Sequence, residues 1–151
     1  MLLRLALTFL ATMISMAWAA DAPKFSDFPA TVYTGKVHKP ILDSPDKREF
    51  RTRINEAAKG KPNFAGNYIL ATWGCGAGCL AGAMIDAKTG VVTFLPWSVC
   101  CTSNYEVEPI QYRPDSRLLL VVGLLNEEGT DSQHYFQMTN GALTPVATIP
   151  N

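Results

Sequence analysis

The sequence predicts a mainly β protein: an antiparallel, blade-like meander of about seven strands, with one N-terminal α-helix. From Asn67 onward, short apolar segments recur at regular spacing, and clusters of glycine, proline, asparagine, aspartate and serine separate them. Short strands joined by tight turns are typical of an antiparallel meander. Before them, residues 44–59 carry apolar side chains at helical spacing instead.

Residues 1–19 have the pattern of a secretory signal peptide. The basic residue Arg4 precedes an apolar run over residues 5–18, and an Ala-Trp-Ala site ends at Ala19. The run is too short and wrongly flanked for a membrane anchor. We therefore expect cleavage after Ala19 and a periplasmic or secreted protein.

The remaining chain divides into an extended lead-in over residues 20–43, with one strand near residues 32–37, and a single mainly β domain over residues 44–151. The chain carries 13 basic and 13 acidic residues, so loss of Arg4 leaves a net charge of 12 − 13 = −1. A near-neutral, exported domain is not typical of nucleic-acid binding. We expect no nucleic acid as a partner and no transmembrane segment in the mature chain.

Residues 44–59 carry the start and stop signals of a helix. Ser44 is a favourable N-cap, Pro45 suits the first helical position, and Gly60 marks the end. Basic residues occupy one side of the helix, and this side is predicted to be solvated. The alternative is that it binds an acidic partner or anionic lipid. The apolar side, which should pack on the sheet, consists of Phe50, Ile54, Ala57 and Ala58.

Seven segments are predicted to be strands: residues 67–73, 80–86, 91–97, 107–113, 117–125, 134–138 and 142–149. The turn from Asp86 to Gly90 should join the second and third of them as a hairpin. The continuous apolar run at 118–125 should form a central strand that is covered on both faces. Residues 126–132 are predicted to form a loop.

One segment resembles the strand opening of β-propeller blades. In "YRPDSRLLLVVG", residues 112–123, a Pro-Asp turn precedes an apolar strand. The chain is too short for the four blades that a closed propeller needs. The resemblance therefore implies a blade-like meander and not the complete propeller.

A second resemblance covers roughly residues 33–150. The motifs "FAGNY" at 64–68, "WGCGAGC" at 73–79 and "DAKTG" at 86–90, after an arginine-bearing helix, are similar to the signature of a family of small exported bacterial proteins. The resemblance implies a fold and a compartment, and no activity. The chain departs from the family pattern at Asn67, where that pattern has histidine, so no role for a histidine there carries over.

The four cysteines allow three interpretations. Disulfides are favoured, because thiols that come together in an exported protein with an even cysteine count should pair. A four-thiolate zinc site is disfavoured, because adjacent Cys100 and Cys101 lack the spacing of a zinc knuckle. A catalytic cysteine would need a base, for which the sequence offers His38 and His134. We expect no metal and no cofactor.

Three connectivities are compatible with disulfides. A local Cys75–Cys79 ring is slightly favoured, because the glycines at 74, 76 and 78 allow a sharp curl. The fate of Cys100 and Cys101 stays open. They could form a vicinal bond with each other, which is rare. Alternatively, each could bond to Cys75 or Cys79 and link the predicted 67–86 hairpin to the segment after Trp97.

The candidate binding surface is the glycine-rich loop with its neighbouring tryptophans, which comprises Trp73, Gly74, Gly76, Gly78 and Trp97. The predicted function is a small exported binding or interaction protein, for example of inhibitor or immunity type, with a protein or another envelope component as partner. The alternative is a cysteine-dependent envelope enzyme with His134 as base.

Other polar residues have simpler interpretations. His134 is expected to be partly buried with a backbone partner, and His38 to be solvated. Residues 126–131 contain three carboxylates, but they lack the ligand spacing of a known calcium loop. A solvated turn is therefore preferred there.

Overall fold

The protein is described by a computed structural model that covers residues 21–103 and 106–151. It is mainly β, with eight antiparallel strands in one sheet, so the predicted fold class is confirmed with eight strands in place of about seven. The predicted signal peptide lies outside the described residues. The elements are α1 (Pro45–Glu49), α2 (Arg51–Ala57), β1 (Tyr68–Gly76), β2 (Cys79–Asp86), β3 (Val92–Phe94), β4 (Val99–Cys100), β5 (Ile110–Tyr112), β6 (Leu118–Leu125), β7 (Glu128–Thr139) and β8 (Ala142–Pro150).

The predicted start and end of the helical segment are confirmed. The Ser44 hydroxyl accepts a hydrogen bond of 3.3 Å from the Lys47 N–H, and Pro45 occupies the first helical position. At the other end, the Gly60 N–H donates to the Ala57 carbonyl oxygen at 2.9 Å. These local signals fix where the helical segment begins and ends.

The predicted single helix is divided in two at Phe50. The φ of −89° and ψ of 13° of Phe50 interrupt the helix between α1 and α2. Its ring stacks on Trp73 with 5.0 Å between centroids and meets Phe94 edge-on at 5.7 Å. One turn later, Ile54 is fully buried on the same side of the sheet. The apolar face was therefore assigned correctly.

Two groups of strands meet at a very short strand. β1, β2 and β3 form the first group, and β5, β6, β7 and β8 form the second. Between them lies β4, in which Val99 pairs with Leu80 of β2 and with Leu125 of β6, while Cys100 pairs with Leu124. In the described part of the chain, no other strand pairs with both groups.

Two sequence predictions fail around β6. β4 was missed, because a strand of two residues is too short to show any periodicity. The predicted loop 126–132 is wrong, because β6 and β7 are joined by a two-residue turn. Asn126 and Glu127 have φ values of 54° and 63°, the geometry of a tight type I′ hairpin, and β7 begins at Glu128.

The hairpin predicted at Asp86–Gly90 is confirmed. Ile85 of β2 pairs with Val92 of β3, and the Asp86 carboxylate accepts hydrogen bonds from the Lys88 N–H at 2.9 Å and from the Thr89 hydroxyl at 3.0 Å. The side-chain amide of Asn67 donates a hydrogen bond of 2.7 Å to the same carboxylate. Asn67, which is not part of the turn, therefore stabilises it through this hydrogen bond.

The lead-in runs across strand ends, so the strand predicted at 32–37 is wrong. Four backbone hydrogen bonds of 2.8–2.9 Å hold it there: Ala30 N–H to Asp115 O, Tyr33 N–H to Gly66 O, His38 N–H to Ala87 O, and Ile41 N–H to Gly90 O. The lead-in packs closely against Gly66. A Cβ at this position would lie 2.5 Å from the Thr31 carbonyl oxygen, so a larger residue would not fit.

Apolar clusters cover both faces of the sheet. The helix-side cluster consists of Ile54, Ile69, Trp73, Ala83, Ile85 and Val92. The opposite cluster consists of Phe64, Ala65, Leu70, Met84, Leu95, Trp97, Val99, Ile110, Leu119, Val121 and Met138. In β6, Leu118 and Leu119 point to opposite faces and both are buried, which confirms the predicted central strand. Among the described residues, none of the helices has the length and apolar character needed to cross a bilayer.

Candidate functional site

The β1–β2 hairpin ends in a tip that a disulfide closes. Cys75 and Cys79 are bonded, with 5.1 Å between their Cα atoms, so the predicted local ring is confirmed. Inside the ring, the φ values of Gly76, Ala77 and Gly78 are 107°, 43° and 79°. A Cβ added at Gly76 or Gly78 would meet nothing within 4 Å. The tip, residues 76–78, therefore stands in open solvent.

The second pair forms a vicinal disulfide between Cys100 and Cys101, whose Cα atoms lie 3.8 Å apart. The cross-linked alternative with Cys75 and Cys79 is not formed. Cys100 is only 5 % exposed and belongs to β4, whereas Cys101 is exposed and has a φ of 60°. A positive φ is uncommon for a residue with a Cβ, so the bond coincides with an unfavourable backbone conformation.

The tip and the vicinal disulfide border one cleft. It has a volume of about 520 Å³ and is lined by Ala77, Gly78, Cys100, Cys101, Thr102, Glu106, Val107, Glu108 and Pro109. The register of the sheet explains this neighbourhood, because Leu80, just after the tip, pairs with Val99, just before the vicinal disulfide. The cleft thus combines a rigid tip, a disulfide and carboxylates from a third segment.

The two predicted tryptophans do not belong to this surface. Trp73 is 6 % exposed and packs on Phe50 and Phe94, and Trp97 is 8 % exposed and packs on Phe136. Both rings fill the apolar clusters, so neither is presented to solvent beside the loop. Among the described residues, the Trp97 Nε1 is a buried donor without a hydrogen-bond partner.

The predicted glycines do lie at the tip or beside it. Gly74 pairs with Leu80 and is exposed, and Gly76 and Gly78 flank the tip residue Ala77. Sequence reasoning missed the carboxylates that complete the cleft. Their proximity to the cysteine pair in the sequence, a few residues downstream, was the signal that could have identified them.

The C-terminal part of the chain is rich in carboxylates and poor in basic residues. From Thr89 to Asn151 the sequence contains no lysine, and its arginines are Arg113 and Arg117. Arg113 pairs with Asp115, at the opposite end of the second strand group. The carboxylates of this part of the chain, apart from Asp115, are Glu106, Glu108, Glu127, Glu128 and Asp131.

Asp131 fastens the segment that follows the vicinal disulfide. Its carboxylate accepts hydrogen bonds from the Ser103 N–H at 2.7 Å and from the Asn151 side-chain amide at 2.8 Å. The hydrogen bond from the Ser103 side chain has the largest effect and lowers the pKa of Asp131. The bonds from the Ser103 backbone and from the Asn151 amide lower it further. The ionised carboxylate thus holds Ser103, which directly follows Thr102 of the cleft lining.

The two histidines differ in their surroundings. His134 is half-buried, and its Nε2 lies 3.1 Å from the Gly123 carbonyl oxygen while its Nδ1 lies 3.4 Å from the Thr148 hydroxyl. His38 is exposed. Both placements agree with the simpler interpretations. All four cysteines are bonded, so the resting protein offers no thiol to an enzyme mechanism of the kind considered above.

A second concavity has the opposite charge. It has a volume of about 430 Å³, and its lining includes Lys36, His38, Lys39 and Lys59 from the lead-in and the end of the helical segment. Lys59 is engaged with Glu56 at 2.7 Å. Within residues 21–103 and 106–151, no three His, Cys, Asp or Glu side chains are grouped closely enough to hold a metal ion.

No protein-family model, no curated protein and no solved structure matches the chain. The resemblance to a family of small exported bacterial proteins therefore stays a prediction.

Proposed function

We propose that the protein is an exported binding protein that presents the cross-linked tip and its cleft to a basic partner. The observation that carries this proposal is the tip itself. Residues 76–78 make no contribution to either apolar cluster, yet a disulfide and two positive-φ glycines hold them in one shape. A rigid exposed loop loses little conformational entropy on association.

The charge of the cleft defines the chemistry of the partner. Glu106 and Glu108 line it, and the same end of the sheet carries Glu127, Glu128 and Asp131. A partner surface with lysine or arginine would be steered to this end, and salt would weaken the association. A second acidic surface would be repelled.

The paired cysteines support export. Disulfides form and persist in oxidising compartments and are rare in the cytosol. Residues 1–19 have the sequence pattern that would deliver the chain to such a compartment. Intact-mass analysis of protein recovered from the periplasm should give a chain that begins at Ala20, and a chain that still carries residues 1–19 would contradict export by cleavage.

The binding proposal is tested with two matched variants. Ala77 at the cross-linked tip and Asn140 in the β7–β8 turn are both exposed residues with φ values near 43° and 50°. A partner is first captured from the periplasmic fraction of the source cells by cross-linking to the wild-type protein, and its affinity is then measured by calorimetry. Ala77→Arg should weaken binding by about tenfold or more, since it places bulk and positive charge against a basic surface.

Asn140→Arg serves as the control and should leave the affinity unchanged within about twofold, because the β7–β8 turn does not border the cleft. Equal effects of the two variants, or binding that is independent of salt, would contradict the proposed surface. A single tight partner bound one to one would favour the inhibitor or immunity type of binding protein.

A further inference from the structure

We propose that Cys100–Cys101 is a thiol–disulfide exchange site that accepts two electrons from a neutral or basic dithiol, whereas Cys75–Cys79 stays oxidised. The inference does not depend on the proposed binding function. It concerns the chemistry of one bond in the wall of the cleft.

The first observation is the backbone of the vicinal pair. Cys101 has a φ of 60°, in the left-handed region that residues with a Cβ disfavour. Adjacent cysteines can bond only in a small ring that contains their shared peptide, so the bond and this backbone conformation occur together. Reduction would allow Cys101 to return to an ordinary conformation. Strained or exposed disulfides are the readily reduced ones.

The second observation is access. Cys101 is exposed and Cys100 is 5 % exposed, and both line a cleft of about 520 Å³. An incoming thiolate can therefore approach the sulfur of Cys101 from the cleft. The buried Cys100 is the leaving group.

The third observation is the length of the loop that the bond closes. A disulfide stabilises mainly by closing a loop in the unfolded chain, and its effect grows with the length of the loop. Cys100 and Cys101 are one residue apart, the shortest possible separation. Loop closure therefore does not account for the presence of two adjacent cysteines beside a cleft.

The exchange balances with one dithiol. One thiolate of the reductant attacks the Cys101 sulfur, a mixed disulfide forms, the bond between Cys100 and Cys101 breaks, and Cys100 leaves as a thiolate that takes up a proton. The second thiol of the reductant loses its proton and attacks the first sulfur of the reductant, which is bonded to Cys101 in the mixed disulfide. Cys101 then leaves as a thiolate and is protonated. The reductant becomes a disulfide, and the cysteine pair gains two electrons and two protons.

Reduction would change the cleft and leave the sheet intact. Val99 keeps its pairing with Leu80 and Leu125, which does not involve the sulfur atoms. Cys101 itself lines the cleft, together with the next residue, Thr102. Release of Cys101 therefore alters the position of this wall.

The carboxylates select the reductant. Glu106 and Glu108 line the same cleft as Cys100 and Cys101, so an anionic thiol such as glutathione is repelled, while neutral dithiothreitol or a basic dithiol protein is not. This charge selectivity separates a site in the cleft from a merely exposed disulfide.

The main experiment uses the wild-type protein. It is equilibrated with mixtures of reduced and oxidised dithiothreitol, quenched with acid, alkylated and mapped by mass spectrometry, while circular dichroism monitors folding. Cys100 and Cys101 should become alkylated in the folded protein at a ratio of reduced to oxidised reagent at least about tenfold lower than Cys75 and Cys79. Opening of both bonds together, or opening of the vicinal bond only when the protein unfolds, would overturn the proposal.

Two further measurements locate the attack and the selectivity. In Cys100→Ser, the remaining Cys101 thiol should react with neutral dithiodipyridine about tenfold faster than the Cys100 thiol does in Cys101→Ser. Glu106→Gln/Glu108→Gln should speed reduction of the wild-type disulfide by glutathione several-fold while Glu127→Gln, outside the cleft lining, should not. Equal thiol rates would refute attack at Cys101, and equal glutathione rates would refute selection by the cleft.

Discussion

The two disulfides of this protein are chemically the same bond in opposite surroundings. Cys75–Cys79 closes a tip where a Cβ on Gly76 or Gly78 would touch nothing within 4 Å. Cys100–Cys101 begins inside β4, the short strand that joins the two strand groups, where a Cβ on Gly123 would collide with the Cys100 carbonyl oxygen. One bond lies outside the packed structure, and the other begins in a closely packed junction.

The difference shows that the position of a disulfide does not reveal what the bond contributes. At the junction, backbone pairing and close packing already hold the chain, and the disulfide adds a ring of two residues. At the tip, no packing is available, and the disulfide is what fixes the loop. Stability should therefore depend on the core and the junction, while binding should depend on the tip.

The largest change in the free energy of unfolding is expected from a substitution in the core. It tests whether packing, and not either disulfide, accounts for most of the stability. Ile54 is fully buried in the helix-side cluster, so Ile54→Asp buries an unpaired charge and should lower the free energy of unfolding by about 4 kcal/mol or more. Arg51→Asp, on the exposed side of α2, should change it by less than about 0.5 kcal/mol. Similar losses in a urea titration would show that the assigned helix face is wrong.

The next effect compares glycines at the two disulfides. Gly123 has a φ of 133° and no room for a Cβ against Cys100, so Gly123→Ala should cost about 3 kcal/mol of unfolding free energy. Gly78 has a φ of 79° but open space, so Gly78→Ala should cost only about 1 kcal/mol for the left-handed backbone. Equal costs would mean that β4 is not a tightly packed junction.

Removal of each disulfide sharpens the comparison further. Cys75→Ser/Cys79→Ser should leave the protein folded, lower the free energy of unfolding by about 2 kcal/mol or less, and abolish partner binding, because the ring is small and the tip loses its shape. Cys100→Ser/Cys101→Ser should change stability by about 1 kcal/mol or less, because relief of the Cys101 backbone offsets the lost ring. Denaturant titrations of both double variants check this, and a larger loss for the junction pair would reverse the argument.

The same contrast separates what the sequence predicts from what it does not. The Ser44 cap, the turn at Asp86 and the Cys75–Cys79 ring were predictable, because each depends on residues within a few positions of one another. β4 and the vicinal pair depend on contacts with Leu80, Leu124 and Gly123, which are distant in the sequence.

The tryptophans were misassigned for the same reason. Whether a tryptophan next to a glycine loop faces solvent is decided by the side chains that fold over it. Trp73 is covered by Phe50 from the helical segment, and Trp97 by Phe136 from β7. The lead-in was misassigned because its hydrogen bonds go to the ends of several strands, which no local pattern encodes.

The smallest effect concerns the hydrogen bonds that hold the cleft wall beyond the vicinal disulfide. Asp131 accepts hydrogen bonds from Ser103 and Asn151, and its folded pKa is lowered, chiefly by Ser103. A carboxylate with a lowered folded pKa contributes stability that is fully present above its unfolded pKa of about 3.9 and is lost as the pH falls through the folded pKa. Stability should therefore decline below about pH 4, by less than about 1 kcal/mol for this group, because solvent screens it.

Asp131→Asn isolates that contribution, because the amide oxygen can still accept the Ser103 N–H without titrating. The difference in unfolding free energy between the wild type and this variant should shrink as the pH falls below about 4, and the Ser103 amide resonance of the wild type should titrate over the same range. A pH-independent difference would show that the charge on Asp131 does not hold the wall. The tip, whose ring contains no ionisable side chain, should keep its amide shifts across the same titration. Acid would then loosen the cleft from the junction side alone, while the loop fixed by Cys75–Cys79 keeps its shape.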